Sequence, residues 1–430
     1  MRSWLARSGN CPLNISFCGL RVISEKNFIK NVQELLLSVS RRWASVDFAI
    51  SNYGLANEAS FIAPLMSAAV PLLHSLKFEP HESSKILWKD SRLLAAPNLR
   101  AVTVNYYHLK TPTAVLCKES STPWSRITSL SVQDGWTDNP TQHSFEPLRL
   151  CSMLVNLKIT MRPSTRTQKE LEPDTLGSTA PIHLPRLQVL HIHPRSAKFA
   201  QNLSTLLVTP ALVELSYRSI LNEHTSDTGA HRSAAGRNVC AILDLSDLLV
   251  NNRLRRLSLD PKQIPAEELY HLLEMLPGLE ELSMDTDYYW GTTKEMWGPD
   301  KFLTDNFLRR LAGDLGDTHQ DMHIQFADGL CQTVVLLPRL STLTLRARMS
   351  FTRGVFEDFL RIRCQHTPVI SGKSTSRLSA FNFGRTRDGY SHLPAEEMLA
   401  ILAPFEEHGL EVRMRVYPGS PFENICDECD

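Results

Sequence analysis

The sequence predicts an α/β fold built from stacked strand–helix repeats, with a parallel sheet on one face and helices on the other. Three observations carry that prediction. An eight-residue phrase with apolar residues at its third, sixth and eighth places recurs along the chain. Most of its copies start 25–33 residues apart. Between copies the apolar spacing changes from two to the three-and-four of a helix.

The phrase is clearest as NRLRRLSL (252–259) and PGLEELSM (277–284). It recurs as PLLHSLKF (71–78), PNLRAVTV (97–104), SRITSLSV (125–132), SMLVNLKI (152–159), PRLQVLHI (185–192) and PALVELSY (210–217). PRLSTLTL (338–345) and SRLSAFNF (376–383) follow, and RRWASVDF (41–48) fits more loosely through Trp43, Val46 and Phe48. Six of these eleven windows begin with proline. Places six and eight are two apart, so in a strand both side chains lie on one face. The residue at place three packs below the incoming strand. A proline lacks an N–H, which suits a strand entrance and stops a preceding helix. In PGLEELSM this buries Leu279, Leu282 and Met284 and turns Glu281, Ser283 and Asp285 to water.

Helical spacing follows in IPAEELYHLLEML (264–276), where Leu269, Leu272, Leu273 and Leu276 share a stripe and Pro265 suits the first turn. NFIKNVQELLLSV (27–39), TDNFLRRLAGDL (304–315), VFEDFLRIRC (355–364) and AEEMLAILAPF (395–405) have the same spacing. A strand–helix unit this short cannot bury its own apolar stripe, and stacking its neighbours solves the problem. Crossovers between parallel strands are right-handed in nearly all proteins. The expected fold class is therefore an irregular leucine-rich-repeat solenoid, with parallel strands on the concave face and helices on the convex face. It is irregular because the asparagine usual after the strand of that repeat is missing from most copies. Residues 1–40 read as a strand–helix cap, 41–420 as the solenoid, with GLEVRMRV (409–416) as its closing strand, and 421–430 as a tail that frays. RPSTRTQKELEPDTLGSTAP (162–181) and NEHTSDTGAHRSAAGRN (222–238) read as polar loops.

Composition sets the outer bounds. The chain has 430 residues, 42% hydrophobic and 21% charged, far from a disordered signature. Its length exceeds the ~250–300 residues at which a single core stops growing, which a repeat architecture avoids. A formal net charge of zero gives no electrostatic reason to expect nucleic acid or an anionic membrane as partner. The longest apolar stretch, FIAPLMSAAVPLL (61–73), falls short of the ~20 residues of a membrane span. The opening MRSWLARSGNCPLN has no apolar run of the secretory kind. Nine scattered cysteines suit free thiols in the cytosol or nucleus better than a disulfide framework.

Catalytic and metal signatures fall short. SGKSTS (371–376) ends like a phosphate loop, but Thr367 stands where its first glycine belongs. CDEC (426–429) has the spacing of a zinc knuckle without a second pair. His191 and His193 project from one side of a strand and read as solvent-facing residues before they read as a metal pair. No enzyme activity, metal or cofactor is expected.

What remains is surface. The outward strand positions include Lys77, Asn105, Gln133, Lys158, His191, His193, Arg218, Arg256, Asp260, Glu281, Asp285 and Arg346. Repeat proteins use such a face for partners. The stretch DTDYYWGTTKEMWGPDK (285–301) adds Tyr288, Tyr289, Trp290 and Trp297. These aromatics either anchor a partner or pack back under the next helix.

WLARSGNCPLNISF, PWSRITSLSV, the recurrent LPRLxxLxL phrase, TDNFLRRLA and VFEDFLRIRC resemble the F-box/leucine-rich-repeat-like family of mushroom-forming fungi. The likeness covers nearly the whole chain through degenerate phrases. It implies that the repeats hold a protein substrate for a cullin-type ubiquitin ligase, whose adaptor docks on an F-box preceding the WLxRSGxxPLxI phrase. No LPxE-type helix opening or tryptophan-rich ending stands before MRSWLARSG, so the expected match is to the repeat portion, and only the substrate-binding role carries over. Binding of the ligase adaptor is expected only where an upstream F-box exists. The competing expectation is a freestanding repeat scaffold, such as a regulator of a small GTPase.

Overall fold

The computed structural model describes residues 2–18, 26–49, 64–79, 91–105, 124–133, 146–160, 180–194, 197–218, 246–249, 253–260, 264, 266–285, 303–313, 335–346, 350–365, 369–370, 373–385 and 395–416. They form two compact units, one within Met1–Leu212, the other made of Val213–Ser219 and positions from 233 onward.

The first unit contains α1 (Arg2–Arg7), β1 (Leu13–Cys18), α2 (Lys26–Ser38), β2 (Trp43–Ala49), β3 (Ser75–Glu79), β4 (Ala101–Asn105) and β5 (Ser129–Gln133). It continues with α3 (Glu146–Leu150), β6 (Asn156–Thr160), β7 (Ile182–His183), β8 (Val189–His193), α4 (Ala197–Leu206) and β9 (Leu207–Val208). Strands β1, β2, β3, β4, β5, β6 and β8 pair in parallel in that order. Short strands β7 and β9 pair separately, also in parallel. The N-terminal segment joins the same sheet through β1. Arg42 fastens α1 there, its Nε donating to the Cys11 carbonyl at 3.0 Å and Nη2 to Ser8 Oγ at 2.7 Å.

The second unit contains β10 (Glu214–Tyr217), α5 (Ser246–Leu249), β11 (Arg256–Leu259), α6 (Ala266–Glu274), β12 (Glu281–Asp285), α7 (Asp305–Ala312), β13 (Thr342–Arg346) and α8 (Arg353–Leu360). Beyond these lie β14 (Val369–Ile370), β15 (Lys373–Ser374), β16 (Ala380–Arg385), α9 (Ala395–Glu407) and β17 (Glu411–Val416). Strands β10, β11, β12, β13, β16 and β17 are parallel neighbours in sequence order. The small β14–β15 pair is antiparallel, and its second strand carries Lys373 and Ser374 of the SGKSTS stretch.

The apolar places of the phrase are the core. Place three (for example Leu73, Leu187, Leu279), place six (Leu76, Leu190, Leu282) and place eight (Phe78, Ile192, Met284) are buried in all eleven copies. Equivalent places stack between repeats: Phe48 and Phe78 meet edge to face at 6.4 Å. In the second unit Phe356 of α8 packs on Phe381 of β16 at 5.5 Å, which puts that helix on the apolar side of the strands. Tyr270 of α6 stacks on Phe307 of α7 at 6.5 Å and lies under the Arg310 guanidinium at 4.2 Å. Burial pushes the Tyr270 hydroxyl above its ordinary pKa.

Proline has a different role from the one its missing N–H suggested. The amide at place three donates to the carbonyl three residues back in copy after copy: Leu73 to Val70, Leu99 to Ala96, Leu187 to Leu184, Leu279 to Leu276 and Leu340 to Leu337. The proline at place one is thus the second residue of a four-residue turn, where its fixed φ is favoured. The residue just before the window opens that turn with its carbonyl and is itself buried, as with Leu184, Leu276 and Leu337. It is a fourth core position of the repeat.

The expected helix over 355–364 ends early. Past Leu360 the chain widens into a π-helical turn, Arg361–Gln365. That turn carries the wholly buried Arg363, whose Nη2 donates to the Leu340 carbonyl at 2.7 Å and to that of Leu337 at 3.3 Å. Its Nη1 reaches the Leu311 carbonyl at 3.3 Å. Leu337 has a φ of 54°, a conformation rare for a branched side chain. Desolvation, with no carboxylate partner among the described residues, lowers the Arg363 pKa to about 10.

Candidate functional site

Each strand sends its odd places outward, and the parallel register aligns them into rows. In the first unit the central row runs Asp47, Lys77, Thr103, Ser131, Lys158 and His191. Lys77 Nζ pairs with Asp47 Oδ2 at 3.4 Å. A second row aligns Asn105, Gln133, Thr160 and His193. The expected surface residues Lys77, Lys158 and His191 therefore lie in one row, and Asn105, Gln133 and His193 in the next. His191 and His193 are half-buried in β8. Among the described residues no group of three or more His, Cys, Asp or Glu could hold a metal.

The second unit has three rows of different character. Glu214, Arg256, Glu281 and Thr342 form the first, at the entrance of the strands. Arg256 Nη1 binds Glu214 Oε2 at 2.9 Å, and its Nε lies 3.9 Å from Glu281 Oε1. Ser216, Ser258, Ser283, Thr344 and Asn382 form the middle row. All five are small and polar, and Asn382 Nδ2 donates to Thr344 Oγ1 at 3.0 Å. The third row lies at the strand exits and holds Arg218, Asp260, Asp285 and Arg346. Asp285 and Arg346 are in register, and the Asp260 amide donates to the Tyr217 carbonyl.

Asp285 departs from the expectation that it faces water. It is 5% exposed, because two guanidiniums close over it. Its Oδ2 accepts from Arg218 Nη2 at 3.1 Å and from Arg346 Nη1 at 3.2 Å. Alternation gave the direction of the side chain correctly. It could not show that long cationic neighbours on other strands would fold over a short carboxylate. Three residues from three separate repeats thus meet at one oxygen.

Sequence reading missed a pocket of about 590 Å³ at the strand entrances of the same unit. It is lined by Arg253, Arg255, Arg256, Arg339, Glu280 and Glu281, with Val213 and Gly278 completing it. These are places two, four and five of consecutive phrases, so the signal lay in the repeat itself, in the positions between its leucines. Arg255 Nη1 pairs with Glu280 Oε1 at 3.2 Å. Arg253 and Arg339 have no ion-pair partner among the described residues.

Tyr288, Tyr289, Trp290 and Trp297 lie outside the described residues, as do the CDEC stretch and the tail 421–430. Among the described residues no helix is long and apolar enough to cross a membrane. Comparison of the chain with protein-family models and with curated proteins finds no match to either.

Proposed function

We propose that the chain is a non-catalytic protein-binding scaffold of the leucine-rich-repeat kind, its polar sheet face holding a partner protein. One observation carries this reading: the middle row Ser216–Ser258–Ser283–Thr344–Asn382, bordered on both sides by rows rich in charged residues. The side chains are short; Ser258, Ser283 and Asn382 are half-buried, while Ser216 and Thr344 are buried among their neighbours. With two residues per side at ~3.3 Å each, the charged borders stand roughly 13 Å apart, wide enough for an extended or helical segment of another chain. The borders are already internally paired through Arg256–Glu214 and Arg218–Asp285–Arg346, so they are held in place before any partner arrives. Preorganisation of that kind reduces the ordering cost of binding.

The quoted phrases, WLARSGNCPLNISF and LPRLxxLxL above all, support placing this scaffold beside the substrate-recognition repeats of F-box proteins. In that role the bound partner is a substrate presented for ubiquitin transfer.

Filling the middle row tests the reading. Ser258→Tyr/Ser283→Tyr places two rings over the row without altering the buried leucines. Proteins retained by the immobilised wild-type chain are expected to fall at least about tenfold in the double variant, since bulky side chains block close approach. An unchanged set of retained proteins, with an unchanged melting temperature, refutes the reading.

A further inference from the structure

The pocket at the strand entrances carries a charge imbalance. Four guanidiniums, Arg253, Arg255, Arg256 and Arg339, face two carboxylates, Glu280 and Glu281, an excess of two positive charges. Arg255 is paired with Glu280, and Arg256 with Glu214 and Glu281. Counting Glu214, four guanidiniums meet three carboxylates, and the two guanidiniums without an ion-pair partner among the described residues are Arg253 and Arg339. Both sit at place two of the phrase. Elsewhere that place is used for bonds between repeats: Asn98 Nδ2 donates to the Pro71 carbonyl at 2.8 Å, and Arg126 Nη1 to the Pro97 carbonyl at 3.2 Å. Arg377, at the same place, donates to the His408 carbonyl. Arg253 and Arg339 have no such bond among the described residues.

The backbone of the pocket offers little to a ligand. The amides of Arg255 and Arg256 donate to the Val213 carbonyl, and those of Glu280 and Glu281 to the Arg255 carbonyl. Recognition must come from guanidinium groups, which suit planar, paired contact with oxyanions. The pocket volume falls within the range of ligand sites, but its charged lining disfavours an apolar ligand.

We propose that this pocket binds a phosphoryl group on a segment of the partner protein, with Arg253 and Arg339 as its principal ligands. A phosphorylated side chain carries about −1.5 to −2 charges at neutral pH, which suits the two guanidiniums that have no ion-pair partner among the described residues, Arg253 and Arg339. The proposal rests on the protein-binding reading and names the chemistry of one contact within it. The pocket borders the Glu214–Arg256–Glu281 row, so a segment lying on the middle row passes beside it.

The test uses the full chain and two degenerate peptide pools, one with a central phosphoserine and one with serine. The phosphoserine pool is expected to be retained at least about tenfold better, and Arg253→Gln/Arg339→Gln is expected to abolish that advantage. Both arginines are exposed, so the melting temperature should not move. Arg253→Lys/Arg339→Lys retains the charge without the paired geometry and should keep a reduced preference. Raising salt from about 50 to about 200 mM should weaken retention. Equal retention of the two pools, or retention indifferent to the glutamine variant, overturns the proposal. Inorganic phosphate displacing nothing at a tenfold excess over peptide supports a peptide source. Inorganic phosphate binding as tightly as the peptides overturns it. The Ser258→Tyr/Ser283→Tyr experiment is read separately, so this pocket can fail while the scaffold stands.

Discussion

Replacing Arg363 with methionine is the most informative single perturbation of the fold. The guanidinium is wholly buried and donates to three backbone carbonyls, those of Leu311, Leu337 and Leu340. Hydrogen bonds to charged groups are worth ~1.5–3 kcal/mol each, so three give roughly 4.5–9 kcal/mol. Against this stands desolvation, which lowers its pKa from the ordinary guanidinium range to about 10 and costs roughly 3 kcal/mol. The balance favours arginine, and Arg363→Met should destabilise the second unit by ~1.5–6 kcal/mol. Arg363→Lys, a point charge with a narrower donor spread, should cost about half of that. The control is Arg361→Met, whose exposed side chain pairs with Asp358 alone among the described residues and should change stability by less than ~0.5 kcal/mol. Urea melts followed by hydrogen exchange in peptides covering β13 and β16 provide the assay. A methionine variant as stable as wild type would mean that desolvation outweighs the carbonyl contacts, refuting the reasoning.

Asp285→Asn should cost ~1–3 kcal/mol, since it removes a buried carboxylate from between two half-buried guanidiniums, and the loss should change little with salt because the pair is shielded from solvent; calorimetry at two ionic strengths measures both. Leu282→Ala should cost ~2–5 kcal/mol and Ser283→Ala less than ~1 kcal/mol, a contrast that urea titration can read for adjacent residues on opposite faces. Burial raises the Cys364 thiol from 9 to about 11, so the unfolded chain loses this proton first. Its contribution to stability is complete below pH 9 and is lost as pH rises to about 11; Cys364→Ala should flatten that part of an alkaline stability curve. In the native protein iodoacetamide should modify exposed Cys11 quickly and spare buried Cys151 and Cys364, as read by peptide mass spectrometry.

The repeat was legible because its physics is local in sequence. A leucine two places from another on a strand shares its face wherever the strand lies, and all three apolar places of the phrase are buried in every copy. Stacking in sequence order follows from units that cannot bury their stripes alone. The turn before each strand was half legible: proline was visible, but its place in the turn emerges only from the amide-to-carbonyl bonds. Arg363 was illegible. Nothing in VFEDFLRIRC separates an arginine that points into the core from its exposed neighbour Arg361, because the difference arises from a π-helical turn and from carbonyls up to 52 residues away. The same holds for Asp285, buried by Arg218 and Arg346 from 67 and 61 positions away.

Site-specific photo-cross-linking tests most directly whether the polar sheet face is where a partner sits. Benzoylphenylalanine is placed at Ser258 or Ser283 in the middle row, and separately at His271, an exposed residue of α6. The same polypeptide cross-linked from both strand positions, and not from His271, is the predicted result. Adducts from His271 alone, or from none of the three, would contradict it.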